Sequence, residues 1–342
     1  MQVSIVIPTF NRLPRLKRVL AALHKQTVAP EEFEVIVVSD GSTDGTDAYL
    51  RSVQTPLRLV PVLQPNRGVA AARNAGVAQA QGELIVFLDD DVVPAPDLIS
   101  EHLQLHAAHG ENMVVLGPML TPDDAALQPW VQWEQAMLIK NYAAMQQGRW
   151  SPTPRQFYTG NASLARQHIV EAGGFNEAFR RAEDVELAYR LAARGLRFVF
   201  HAEAIGYHYA ERSFGSWLAT PYAYGRNDVL FAREGGQSWL LPVVFEEIHY
   251  RKKLIQWLVR HCLDRPLASA AVVTALRWLA AIGAYSGWDK LPQHAYSGIF
   301  NLRYYQGVAD ELGGRAAFFH EMRRAKLLLS SGADAEQPMT GA

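Results

Sequence analysis

Over the first ninety residues, short apolar runs alternate with stretches of helical period. VSIVIP (3–8), FEVIVVSD (33–40), LRLVPVL (57–63) and ELIVFL (83–88) are brief, continuous and rich in β-branched residues. That is the pattern of strands buried on both faces. Between the first two, Leu16, Val19, Leu20 and Leu23 recur at i, i+3, i+4 and i+7, predicting one apolar helix face. A short helix is predicted over 47–53, and a helix of small residues, VAAARNAGVAQA, over 69–80. Strand and helix in alternation predict an α/β fold, with a mostly parallel central sheet flanked by helices.

Beyond residue 110 the pattern is less regular. MVVLGPML (113–120) reads as one strand, PWVQWEQAMLIKNYAAMQQ (129–147) as a helix and FYTGNASLAR (157–166) as strand-like around a glycine. Residues 173–195 read as a loop and then a helix, and FVFHAEAIGYHY (198–209) as extended. From about residue 236 a C-terminal helical region is expected, carrying Trp239, Trp257, Trp278, Trp288 and a basic cluster of Arg251, Lys252 and Lys253. The changes of pattern divide the chain into 1–118, 119–235, 236–330 and a flexible tail over 331–342.

Composition narrows the function classes. A net charge of −1 over 342 residues gives no global field to recruit nucleic acid. Cys262 is the only cysteine, so no internal disulfide forms, and a free thiol in a helix is expected. The opening MQVSIVIPTF lacks the basic and apolar regions of a signal peptide, so a cytoplasmic location is the default expectation. Residues 268–288 are apolar, but Arg277 sits at their centre. A charge there opposes insertion by about 3 kcal/mol, so a buried or interfacial helix is expected over a membrane span.

Candidate chemistry gathers where strands end. In a parallel sheet, ligands bind beyond the carboxyl ends of the strands, and polar clusters occupy 9–11, 40–42 and 89–91. Asp89, Asp90 and Asp91 stand in tandem. Two carboxylates about 5 Å apart repel by roughly 3 kcal/mol at an effective dielectric near 20, so something must offset the charge. A solvated turn would do so, and so would a divalent cation, since carboxylate oxygens suit Mg²⁺ or Mn²⁺. Capping of the following helix is open to Asp97. Asp40 can accept a hydrogen bond from a base or ribose, or make an Asx turn. Arg73 can meet a base or phosphate, or lie on the surface beside the sheet. Glu183 and Asp184 open an amphipathic helix, where acids complement the helix dipole or serve as a general base. His208 is a candidate metal ligand, with His201 a nearby competitor. A G-x-G-x-x-G loop after the first strand, a P-loop and a nucleophile elbow are all absent.

In this order the segments SIVIPTFNR, EVIVVSDGSTDGT, NRGVAAARNAG, GELIVFLDDDVVP, TGNASLAR, GGFNEAF, AEDVELAYRL and YHY resemble the family 2 glycosyltransferases of GT-A fold. The resemblance spans roughly residues 3–210. It implies an inverting enzyme that uses a nucleotide-diphosphate sugar, most commonly UDP-linked, and a divalent metal. Pro8, Thr9 and Phe10 would line the nucleobase, Asp40 would bind it, and Arg73 would lie near the base or diphosphate. Asp89 and Asp90 would serve the nucleotide, Asp90 at the ribose. Asp91 and His208 would hold Mn²⁺ or Mg²⁺. Gly160 and Asn161 would flank the donor sugar or acceptor. Asp184, beside Glu183, would deprotonate the acceptor hydroxyl.

By the same resemblance, residues 1–118 would bind the nucleotide sugar, and 119–235 would carry acceptor binding and the base. The acceptor would be a carbohydrate or lipid-linked, as in polysaccharide or glycolipid synthesis. The Q/R-x-x-R-W element of processive synthases has only a loose echo in RSFGSW (212–217), which favours single transfers. Two rivals are a catalytically silent sugar-binding subunit and a sugar-1-phosphate nucleotidyltransferase. The helical region, through its Trp residues and Arg251, Lys252 and Lys253, is expected either to touch the inner face of the cell membrane peripherally or to form a packed cap or dimer interface.

Overall fold

All seven residues of the first strand, β1 (Val3–Thr9), are buried, and so are all eight of β2 (Phe33–Asp40). β3 (Arg58–Gln64) is more exposed, as an edge strand is, and β4 (Leu84–Leu88) is again wholly buried. The computed structural model describes residues 2–330; the tail expected over 331–342 lies outside the described residues. The remaining strands are β5 (Val92–Pro94), β6 (Met113–Leu116), β7 (Met119–Leu120), β8 (Asn161–Ala165), β9 (Arg197–Phe200) and β10 (Gly206–His208). Seven of them form one sheet in the order β3-β2-β1-β4-β8-β6-β9, and β5, β10 and β7 form a second.

The large sheet is mostly parallel. β1 pairs in parallel with β2 and β4, β2 with β3, and β6 with β9. β8 runs antiparallel between β4 and β6. Alternate side chains go to opposite faces. Val6, Ile36, Val38, Ile85 and Phe87 join one core layer, and Ile5, Ile7, Val35, Val37, Val86 and Leu88 the other. The pattern predicts the bounds of β2 to the residue and those of β1, β3 and β4 to within one.

Two expectations are corrected. The single strand expected over 113–120 breaks at Gly117 and Pro118 into β6 and β7, which belong to different sheets. Pro118 has no N–H to continue a ladder; its carbonyl accepts from Gly206 N, while Gly117 N donates to Asn161 O. Helical structure also starts before residue 236, with Phe214–Arg233. Pro221 and Gly225 obscure this helix in the sequence, and burial of Trp217, Val229 and Phe231 outweighs their low propensity.

Over the described residues the chain divides into two units, 2–126 with 135–210, and 127–134 with 211–330. The second is helical. Within it the helices Phe214–Arg233 and Lys290–Leu312 meet backbone to backbone. A Cβ on Gly225 would lie 2.0 Å from Tyr304 O, and one on Gly307 2.0 Å from Tyr222 O. Trp217, Tyr305, Phe245 and Phe318 fill its interior.

Candidate active site

The loops after β1, β2 and β4 meet in the first unit, and side chains tie them together. Asn11 Oδ1 accepts from Thr43 N (2.7 Å), and Leu13 N donates to Asp44 Oδ2 (2.9 Å). Thr9 Oγ1 donates to Asp90 Oδ2 at 2.7 Å. Pro8 and Thr9 are buried, whereas Phe10 is 46% exposed.

Arginines offset the charge of the acidic triplet. Arg12 Nη1 donates to Asp90 Oδ1 (2.9 Å) and Asp91 Oδ2 (3.0 Å), and Arg15 Nη1 lies 3.4 Å from Asp91 Oδ2. Arg73 Nη2 donates to Asp89 Oδ1 at 3.0 Å. Burial still pushes Asp90 up to about 6, against the opposing pull of Arg12 and the Thr9 hydroxyl. Arg12 and Arg15 escaped the sequence reading. Their signal is PTFNRLPR, two arginines spaced i, i+3 where the helix Leu13–Leu23 begins. The capping role open to Asp97 is not taken, since its side chain makes no cap bond.

The pairing of β10 with β5 sets His208 opposite Val92 and so beside Asp91. His208 Nε2 lies 3.5 Å from Asp91 Oδ1, and its Nδ1 lies 3.4 Å from Gln135 Nε2. His201 is engaged elsewhere, with Glu101 at 2.8 Å and Glu203 at 3.2 Å. Among the described residues, no three His, Cys, Asp or Glu side chains gather into a metal site. Asp91 and His208 offer one oxygen and one nitrogen. That set fits an ion such as Mn²⁺ or Mg²⁺ that fills its remaining positions with phosphate oxygens and water.

Arg73 is buried and far from the surface role open to it. Its Nη1 donates to Glu183 Oε1 at 2.6 Å, so it links the triplet to the start of the helix Glu183–Ala193. Its Nε is buried without a hydrogen-bond partner, and its guanidinium lies 5.7 Å from the Phe175 ring centre. Ala182, just before Glu183, has φ 57, a left-handed conformation that costs a non-glycine residue about 1–2 kcal/mol.

Glu183 and Asp184 therefore differ. Glu183 is buried and ion-paired, whereas Asp184 is partly exposed and has no ion pair within 4 Å among the described residues. The protein around Asp184 and the neighbouring Glu183 charge push its carboxyl up to about 7, with Arg73 opposing.

Asp40 holds the turn after β3. It accepts from Gln64 Nε2 (2.7 Å), Arg67 N (2.8 Å) and Gly68 N (2.8 Å). A carboxylate has about four acceptor sites, which leaves room for one further donor. Asn161 is buried, with Nδ2 donating to Pro118 O (3.0 Å) and Ala204 O (2.7 Å) and Oδ1 3.0 Å from His102 Nε2. Its amide braces the break between β6 and β7 and is not offered to a ligand. Gly160 lies against the triplet, where a Cβ would sit 3.1 Å from Asp89 Oδ2 and 2.6 Å from Met119 Sδ.

The sheet order and the carboxylates at its strand ends define the class as an α/β protein with polar loops gathered at one sheet edge, and comparison with known proteins gives the family. The profile described as "Glycosyl transferase family 2" matches residues 4–181, and the chain belongs to that family. Validoxylamine A glucosyltransferase of Streptomyces hygroscopicus subsp. limoneus is 36% identical over 228 residues, 59% of this chain and 50% of that protein. The uncharacterized glycosyltransferase YfnE of Bacillus subtilis is 29% identical over 256 residues, 61% of this chain and 64% of its own length. The match thus spans about half to two-thirds of such relatives.

Among solved structures, mannosyltransferase PcManGT of Pyrobaculum calidifontis, in complex with GDP-Man and Mn²⁺, aligns with a TM-score of 0.60 at 19% identity, covering 89% of this chain and 86% of that one. TarS 1–349 of S. aureus in complex with UDP-GlcNAc aligns at 0.57 and 18% identity, covering 97% and 92%. The fold is GT-A.

Proposed function

We propose that the protein transfers a sugar from a nucleotide-diphosphate sugar, UDP-linked, to a hydroxyl of a carbohydrate or lipid-linked acceptor, with inversion at the anomeric carbon. The observation that carries this reading is the ion-pair chain Asp89–Arg73–Glu183, which ties the acidic triplet to the start of the helix that bears Asp184; burial and the Glu183 charge raise that carboxyl to about 7. A base with a pKa near neutral is suited to take a proton from a hydroxyl at physiological pH. Family membership and relatives named as glycosyltransferases support the same reading.

Asp184 accepts the proton of the acceptor hydroxyl as its oxygen attacks the anomeric carbon. The bond from that carbon to the diphosphate breaks on the opposite face, and its electron pair leaves with the nucleoside diphosphate. Asp40 takes the base N–H with its remaining acceptor site, and Phe10 offers an exposed ring for stacking. Asp90, held by Thr9 and Arg12, serves the ribose. Asp91 and His208 would hold Mn²⁺ or Mg²⁺, which would supply positive charge to offset that of the leaving diphosphate. On this reading residues 1–118 bind the donor, and 119–235 bring the acceptor and the base.

A thermal-shift screen of UDP, GDP, dTDP and CDP, with and without Mn²⁺, tests it on the wild type and on Asp91→Ala. A ligand at 100 times its Kd stabilises by about 2.7 kcal/mol. The expected result is a UDP response that needs Mn²⁺ in the wild type and loses the metal effect in Asp91→Ala. If no nucleotide responds, the silent sugar-binding subunit is the better account.

A further inference from the structure

The helix Pro266–Tyr285 has an inner and an outer side of opposite character. Leu276, Ala280 and Gly283 are buried. On the opposite side Leu267, Trp278, Ile282 and Tyr285 are 86%, 68%, 55% and 97% exposed. These four fall within about 60° of one line down the helix, at 100° per residue. The whole helix contains no Asp, Glu or Lys. Its one charge, Arg277, stacks over Phe214 (4.5 Å) and Trp130 (5.6 Å). By length and hydropathy it could cross a membrane, and little of it is buried within the protein. The expected alternative of a buried helix is thus not met.

The helix Lys253–Cys262 has the same two-sided build. Its Leu258 and Cys262 share a core with Leu276 and Ala280. Its outer side carries Trp257, 51% exposed, between exposed Lys253 and Arg260 on one arc, with exposed Lys252 just before the helix. Asp264, beyond its end, accepts from Arg315 N. Asp289 is the exposed acid nearest the end of the Pro266–Tyr285 helix, and Lys290 follows it.

We propose that these two outer sides dock the helical unit onto an anionic lipid bilayer, with the helices lying in the interface. Indole rings and aliphatic side chains enter the acyl boundary while Lys252, Lys253 and Arg260 stay at the headgroups. A span is disfavoured, because Arg277 and the packed inner side would have to enter hydrocarbon. Charge argues for lipid over a second copy of the chain. A two-fold contact would set one positively charged patch against another, whereas anionic headgroups neutralise its charge. The proposal is independent of the transferase reading, because its test measures binding alone.

The test is flotation of the full chain with vesicles of phosphatidylcholine alone and with added phosphatidylglycerol. Two variants join it, Trp257→Ala with Trp278→Ala, and Lys252→Gln with Lys253→Gln, both at exposed positions, with circular dichroism checking the fold. The expected result is flotation with the anionic vesicles, weakened at least tenfold by the tryptophan pair and about thirtyfold by the lysine pair. Raising salt to 1 M shortens the screening length to about 3 Å and should weaken it too. No flotation with either vesicle overturns the proposal. So does equal, salt-resistant flotation with both, or a solution dimer that the tryptophan pair dissociates.

Discussion

Arg12 is the cation on which the acidic triplet rests. With Asp90 raised to about 6, against an ordinary value near 4, the folded protein binds more protons than the unfolded chain between those values. The contribution of this carboxyl to stability therefore falls as pH rises from about 4 to about 6. Arg12→Ala removes the compensating charge and should deepen that loss. Urea unfolding should show it destabilised by about 1–3 kcal/mol at pH 7.5 and by less at pH 5, where the Asp90 carboxyl holds a proton. Equal destabilisation at both values would mean that packing, and not charge, is what Arg12 supplies.

On the proposed mechanism, protonation of Asp184 bears on rate, because a base works only when deprotonated. The transfer rate should rise about tenfold per pH unit below about 7 and level off above it. Asp184→Asn should lower turnover by about 10²–10⁴ while leaving nucleotide affinity unchanged, as turnover and equilibrium binding measured side by side would reveal. The candidate residues were readable from the chain because Asp40, Asp89, Asp90 and Asp91 sit where apolar runs stop. Their partners were not. Arg12 lies 78 residues from Asp90, and Arg73 lies 110 from Glu183, and no periodic pattern encodes such long-range pairs.

At the scale of elements, the helical unit depends on two glycines facing each other's helices. Gly225→Ala or Gly307→Ala places a methyl 2.0 Å from a carbonyl oxygen of the opposing helix. The helices must move apart, at a cost of about 1–3 kcal/mol, which a lower thermal midpoint for either variant would record. Buried strands were legible because burial on both faces leaves a continuous apolar run. The helix Phe214–Arg233 was not, because Gly225 is required by the close approach and lowers the local propensity that a sequence reading relies on. The break between β6 and β7 was likewise hidden. Gly117 and Pro118 stand in plain view, but the bonds from Asn161 and Gly206 that hold the break come from far along the chain.

Over the whole molecule, a net charge of −1 leaves recognition to local groups, so the arginines, lysines and carboxylates act over a Debye length of about 8 Å in physiological salt. The order of strands has a further consequence, in time. β4 is wholly buried, yet one of its two neighbours, β8, begins about seventy residues after β4 ends. At about 5–20 residues per second, a ribosome needs on the order of 4–14 s to deliver it. For that interval the emerging chain carries LIVFL with an open edge, able to pair with another nascent copy. The antiparallel insertion that closes this edge thus makes the yield of folded protein depend on how fast, and how crowded, its own synthesis is.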